Sequence, residues 1–183
     1  KKEAPVLEDE EMVISDLQPP SEEATDEIVD PGSTIATWDE LDIPITLLRG
    51  IYGMGFDKPS PIQQKAIKPM LTGRDLIAQA QSGTGKTATF SIGAMATVNL
   101  KDTNALQVLI LSPTRELASQ TSDVILKMGN LMKGLVVQAM IGGNIIEEDI
   151  RKLKTTPPQI ISGCPGRVFD MVRRNHINFK KLK

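Results

Sequence analysis

The chain has almost nothing with which to cross-link itself or hold a metal through soft ligands. Of its 183 residues one is cysteine, Cys164, and one is histidine, His176. A single thiol excludes a disulfide within the chain, and a single imidazole excludes a Cys/His set with the spacing of a structural zinc site. The cysteine usage fits a reducing compartment. Aromatic residues make up 3%, so the core is expected to be aliphatic. No apolar run approaches the roughly 18 residues that a membrane-spanning helix needs. Lys1 to Glu11 is charged and has no apolar h-region of the kind a secretory signal carries. No membrane partner is therefore expected.

What is present is unevenly spread. The net charge of −2 conceals a tail, residues 1–35, with 11 acidic and two basic side chains, and a body, residues 36–183, with 12 acidic and 19 basic ones. A body carrying such a surplus attracts polyanions. The tail holds Glu8-Asp9-Glu10-Glu11, Pro19-Pro20, Glu22-Glu23 and Pro31-Gly32. It has too few apolar groups to form a core and is expected to be disordered. Met12-Val13-Ile14 and Leu17 offer the one stretch in it that suits a short docking helix.

From Ile35 onward helical and strand patterns alternate. Helices are expected from Pro44 to Gly53 or Gly55, and from Pro61 to the breakers Pro69 and Gly73. Asp75–Ala80 reads as a strand, and Lys86 to about Val98 as a helix. Leu106–Leu111 is apolar but for Gln107, as in a strand buried on both faces. Thr114–Leu131 is amphipathic, with Leu117, Val124, Ile125, Met128 and Leu131 along one stripe. Strands at Leu135–Ile141 and Gln159–Ser162 and helices at Ile145–Leu153 and Gly166–Arg174 complete the series. Repeated βα units imply an α/β fold, a parallel β-sheet flanked by helices.

The most specific stretch is Ala80-Gln81-Ser82-Gly83-Thr84-Gly85-Lys86-Thr87. It meets the phosphate-loop pattern G-x-x-x-x-G-K-[ST] except at its first position. Glycines at 83 and 85 let backbone N–H groups turn toward one anion at a helix start. Ser82, Thr84 and Ala88 flank that turn, Lys86 suits the terminal phosphates, and the Thr87 hydroxyl suits Mg²⁺. In open α/β sheets ligands bind beyond the carboxyl ends of the strands. The other strands lead into Pro113-Thr114-Arg115, Gly142-Gly143 and Gly166-Arg167, so these residues should share an edge with the loop and can grip a sugar-phosphate chain without reading its bases. Upstream, Phe56, Lys58 and Gln63 form a candidate nucleobase reader, since an amide presents one donor and one acceptor to an adenine edge.

With these motifs in this order, the chain resembles the first RecA-like domain of a DEAD-box RNA helicase, over about Trp38 to Lys183. Gly55–Gln63 is similar to the Q motif and Ala80–Thr87 to motif I. Pro113–Leu117 is similar to motif Ia, Gly142-Gly143 to the glycine doublet, and Pro165-Gly166-Arg167 to motif Ib. Leu47–Tyr52 and Ala78–Phe90 resemble the translation initiation factor 4A branch. The resemblance implies ATP and Mg²⁺ as cofactors, with adenine at Phe56, Lys58 and Gln63 and phosphates at Ser82 to Ala88. It implies single-stranded RNA or a short RNA duplex at Pro113, Thr114, Arg115, Gly142, Gly143, Gly166 and Arg167. It further implies a second RecA-like domain, protein partners from translation or mRNA processing, and a cytoplasmic or nuclear setting. Trp38 replaces an upstream Phe of the family, and Cys164 a Thr, a weaker partner for phosphate.

The Asp-Glu-Ala-Asp strand of the family is expected after Lys183. Leu7–Glu10 and Glu147–Asp149 do not replace it, one lying in the tail and the other on a helix. Residues 36–183 are thus expected to be an incomplete RecA-like domain, of low stability and without turnover by itself. A non-catalytic nucleotide- and RNA-binding module is the alternative reading. The tail, 1–35, is expected to be either a solubilising linker or a segment that folds back on the basic edge and competes with RNA.

Overall fold

The computed structural model describes residues 34–103 and 105–183; the expectations for the acidic tail fall almost wholly outside them. A short 3-10 turn, Trp38–Glu40, precedes α1 (Ile45–Gly53), α2 (Pro61–Leu71) and α3 (Lys86–Thr97). Then follow β1 (Val108–Leu111), α4 (Arg115–Met128), β2 (Val137–Met140), α5 (Ile146–Thr155), β3 (Ile160–Gly163) and α6 (Pro165–Arg173). The strands form one parallel sheet in the order β1-β3-β2.

The last strand in sequence is the central one. Ile160 and Ile161 are neighbours in the chain and so face opposite sides of the sheet. Ile160 joins the core beneath α1, α3 and α4, with Leu47, Ile51, Ile92, Ile125 and Met128. Ile161 joins the core beneath α5 and α6, with Met140, Leu153, Val168 and Met171. Both isoleucines are fully buried, worth about 1.5–3 kcal/mol each. Ser162 is buried too, and its hydroxyl donates to the Ala118 carbonyl of α4 at 2.8 Å. Gly163 is required by close approach: a Cβ there would lie 2.7 Å from the Met140 carbonyl oxygen.

Helix starts agree with their local chemistry. Thr114 caps α4 by accepting the Leu117 N–H at 3.2 Å, and Pro61 and Pro165 open α2 and α6, where the missing N–H costs nothing. Four expectations are corrected. Pro69 does not end α2 but sits inside its last turn; the chain turns at Gly73, whose φ is +73°. The helix expected to reach Leu131 ends at Met128; of its expected stripe, Ile125 and Met128 are buried, whereas Leu117 and, beyond the helix, Leu131 are 46% and 45% exposed. The strand at Asp75–Ala80 is not formed. No described strand pairs with that segment, and Leu76 and Ile77 are 42% and 101% exposed. For the same reason β1 is an edge strand rather than a strand buried on both faces, with Leu111 53% exposed.

Candidate functional site

The phosphate-loop residues keep their expected geometry although no strand leads into them. Gly83 and Gly85 take φ values of +81° and +95°, a region that glycine enters without strain. Gly85 is the residue from which α3 begins. The Lys86 ammonium donates to the carbonyls of Ala80 and Gln81, the latter at 2.7 Å, so its charge sits within the turn. Ser82 is exposed, Thr84 and Thr87 are half-buried, and Ala88 is in the core. The positive-φ backbone and the inward Lys86 charge suit an anion of phosphate size.

The loop is held from the side of α2. Ser60 donates its hydroxyl to the Thr84 carbonyl at 2.8 Å. The Gln63 amide nitrogen lies 3.4 Å from the Gly85 carbonyl, while its oxygen accepts the Ser60 N–H at 2.7 Å. Gln63 is 2% exposed, so its amide joins the start of α2 to the phosphate loop. A Cβ on Gly85 would lie 2.7 Å from that amide nitrogen. Phe56 is half-buried and Lys58 exposed. Trp38, completely buried, donates its indole N–H to the Phe56 carbonyl at 2.8 Å and so fixes the turn on which Phe56 and Lys58 stand. The Ser60 contact was missed in the sequence, although Ser60-x-x-Gln63 has the spacing of a capping box.

Two grooves meet at Pro113. One, of about 500 Å³, runs past Lys86, Thr87, Phe90, Leu111 and Leu117 and has an apolar floor. The other, of about 490 Å³, is lined by Pro113, Thr114, Arg115, Gly142, Gly166 and Arg167, together with Glu116 and Cys164. Six of the seven residues expected to face RNA therefore line one groove. The seventh, Gly143, adjoins it: with φ +96°, it comes so near Arg115 that an added Cβ would be 2.9 Å from Nη1.

The two arginines are not equivalent. Arg115 is exposed and has no carboxylate partner among the described residues. Arg167 is committed: Nη1 pairs with Asp149 at 2.8 Å and Nη2 donates to the Asn144 carbonyl at 2.7 Å. Their side chains are 9% and 2% exposed. Burial pushes the Asp149 carboxyl above its ordinary range, against the pull of Arg167. Arg167 thus anchors the glycine-doublet turn from beneath, and Arg115 covers it from the groove side. Asp149 is a residue that sequence reasoning took for part of an ordinary acidic helix face.

A phosphate loop whose neighbouring groove is built from Pro-Thr-Arg, Gly-Gly and Pro-Gly-Arg turns is a narrow combination. The sequence pattern of the DEAD/DEAH box helicase family matches residues 60–183. The chain belongs to that family. It is 52% identical over 149 residues to the ATP-dependent RNA helicase FAL1 of Mycosarcoma maydis, covering 80% of this chain and 36% of that protein. To FAL1 of Candida glabrata it is 47% identical over 148 residues, covering 81% and 37%. The chain therefore spans little more than a third of the length of these curated relatives. Among solved structures, a DEAD box protein from Methanococcus jannaschii superposes with a TM-score of 0.74 at 36% identity, over 82% of this chain and 40% of that one. Saccharomyces cerevisiae Dbp5 bound to RNA and ADP BeF3 gives 0.71 at 40% identity, over 81% and 37%. The three-stranded sheet with its helices is accordingly part of a DEAD-box RecA-like domain.

Proposed function

We propose that this chain supplies the nucleotide cradle and part of the RNA grip of an ATP-dependent RNA helicase of the initiation factor 4A type. The observation that carries this is that the two grooves share Pro113 as a lining residue, with Lys86 and Thr87 in one and Arg115 in the other. A triphosphate would rest on the turn from Ser82 to Thr87, with Mg²⁺ at the Thr87 hydroxyl and adenine toward Phe56 and Lys58. Gln63, whose amide is engaged by Ser60 and Gly85, would meet adenine only on giving up one of those bonds. A ribose-phosphate strand would lie across Thr114, Arg115, Gly142, Gly143 and Gly166, where helix starts and an unpaired guanidinium favour phosphate. ATP supplies the phosphoryl-transfer chemistry; the residues of this chain bind and orient. The substrates are single-stranded RNA or short duplexes, and the setting is translation initiation or mRNA processing in cytoplasm or nucleus. The Dbp5 structures, one with RNA and ADP BeF3 and another with Gle1 and IP6, support an RNA ligand and protein partners here too.

A second reading holds for the chain taken alone. The groove at Lys86 and Thr87 has no Asp or Glu among its lining residues, whereas phosphoryl transfer needs a carboxylate to hold Mg²⁺ and a group to orient the nucleophile. The isolated chain therefore binds without turnover, and a second RecA-like domain completes the site. Two assays test these readings. Lys86→Ala in the parent protein is expected to abolish RNA-stimulated ATPase activity, and unchanged turnover would refute the assigned role. RNA-stimulated turnover by the 183-residue chain itself would overturn the binding-module reading.

A further inference from the structure

Opposite the nucleotide edge lies a second cavity, of about 400 Å³. It opens at the amino ends of the strands, where Leu106 precedes β1 and Pro157-Pro158 precede β3. Its walls are aliphatic, from Leu106, Leu153, Ile161 and Ile177, and Lys180 and Lys181 stand at its mouth. The segments that frame it, residues 99–107, 152–159 and 173–183, carry eight cations, Lys101, Lys152, Lys154, Arg173, Arg174, Lys180, Lys181 and Lys183, against one carboxylate, Asp102. The rest of residues 34–183 holds eleven charges of each sign. The positive surplus of the body thus falls in these segments, where Lys181 pairs with Asp102 at 3.5 Å and Arg174 with Asp170 at 2.9 Å.

An apolar slot beneath lysines suits a particular ligand. No Phe, Tyr or Trp lines the cavity and its one ring is that of His176, so it lacks the succession of platforms on which bases stack, the usual means of holding single-stranded nucleic acid. Lysine ammonium groups are point charges that accept carboxylates in many orientations, and the slot below can take an aliphatic side chain. The matching chemistry is an acidic run followed directly by apolar residues. Within this chain that pattern occurs at Glu8-Asp9-Glu10-Glu11-Met12-Val13-Ile14, with Leu17 beyond. Sixteen residues separate Leu17 from Thr34 and reach up to about 53 Å. A body of this size has a radius of gyration of about 15 Å, so the cavity is within range.

We propose that the basal cavity takes an acidic peptide with an apolar anchor, and that its occupant is residues 8–17 of this chain. Docked there, the acidic segment neutralises the basic rim and leaves the Arg115 groove open to RNA.

Carbodiimide coupling of the full 183-residue chain at low concentration, followed by peptide mapping, tests this. Links from Glu8–Glu11 to Lys180 and Lys181 are expected in monomer. They should fall about fivefold when salt is raised from about 0.05 M to about 0.5 M. The exposed pair Lys180→Glu/Lys181→Glu should abolish them without changing the circular dichroism. Val13→Asp/Ile14→Asp, which leaves every carboxylate in place, should reduce them as well. Links spread evenly over Lys58, Lys65 and Lys133 would overturn the proposal, and so would links confined to a dimer band. As a second readout, the variant Glu8→Gln/Asp9→Asn/Glu10→Gln/Glu11→Gln is lysine-acetylated with a synthetic peptide of residues 6–18 or with oligouridylate. Protection of Lys180 and Lys181 by the peptide supports the assignment; protection by the RNA alone overturns it in favour of a nucleic-acid surface.

Discussion

Removing the Arg167 guanidinium should unfold a large share of this domain's stability, because it strands a buried charge. Arg167 and Asp149 lie 2.8 Å apart with side chains 9% and 2% exposed. In Arg167→Ala the carboxylate keeps its burial and loses its cation. Breaking a buried pair from one side costs about 3–5 kcal/mol, against a total stability of about 5–15 kcal/mol for a typical domain. Arg167→Ala/Asp149→Ala removes both charges and should be less destabilised than the sum of the single variants, by about 0.5–3 kcal/mol.

The pH dependence follows from the direction of the shift. Burial raises the Asp149 carboxyl, and Arg167 is the largest influence lowering it. A carboxyl raised in the fold contributes stability that is fully present below its unfolded pKa and is lost as pH rises through the folded value. Without Arg167 the folded value climbs further, so that loss extends to higher pH. The deficit of Arg167→Ala relative to the parent should therefore be full at neutral pH and shrink toward acid. Urea unfolding at about pH 5 and about pH 7.5, with m-values checked for constancy, measures it. A deficit below about 1 kcal/mol that is the same at both pH values would refute the reasoning. It would mean that water or Lys152 already compensates Asp149. RNA affinity separates anchoring from contact. If Arg167 acts only by holding the Asn144 turn, Asp149→Asn and Arg167→Ala should weaken RNA binding together.

Three further outcomes follow. Gly50→Ala would set a Cβ 1.8 Å from the Met128 carbonyl oxygen, forcing α1 from α4 and costing about 2–3 kcal/mol or more by thermal unfolding. Ser60→Ala removes the hydrogen bond to the Thr84 carbonyl; at about 1 kcal/mol, nucleotide affinity in a fluorescent-ATP titration should fall about fivefold, with RNA binding at the Arg115 groove unchanged. The salt dependence of RNA binding to this chain should be shallow. With Arg115 the one unpaired cation in its groove, the slope of log K against log salt should be about −0.7, whereas eight contacts at the rim would give about −5.6.

Much of the fold was legible because helix starts are local. Pro61, Thr114 and Pro165 announce α2, α4 and α6 with chemistry confined to one turn. Strand order is not local. Leu106–Leu111 is more continuously apolar than Gln159–Ser162, yet the second segment is central. What decides this is the Ser162 bond to Ala118 and the room that Gly163 leaves for Met140, and both partners lie far along the chain. Asp75–Ala80 fails as a strand for the converse reason: its residues favour a ladder, but a ladder needs a neighbour. In the site, the glycine loop was legible from spacing alone. The division of labour between Arg115 and Arg167 was not. The two residues stand in similar turns, and only the carboxylate of Asp149, 18 residues before Arg167 in the chain, makes one a fastening and leaves the other free.

How the phosphate loop is held follows from these contacts. A loop of this kind ordinarily inherits its position from the strand before it. Here Asp75–Ala80 forms no ladder, and two contacts reach the turn from the start of α2, while a third holds the segment before that helix. Trp38 fixes Phe56, Ser60 fixes Thr84, and Gln63 reaches Gly85. Each donor is a side chain and each acceptor a backbone carbonyl, so the link constrains backbone path rather than side-chain identity. That is what a cradle made of N–H groups requires, because its anion affinity depends on where the backbone points. The segment carrying the candidate base reader and the loop carrying the phosphate donors are thus one mechanical unit. A ligand that shifts Ser60 or Gln63 must disturb the bonds to Thr84 and Gly85.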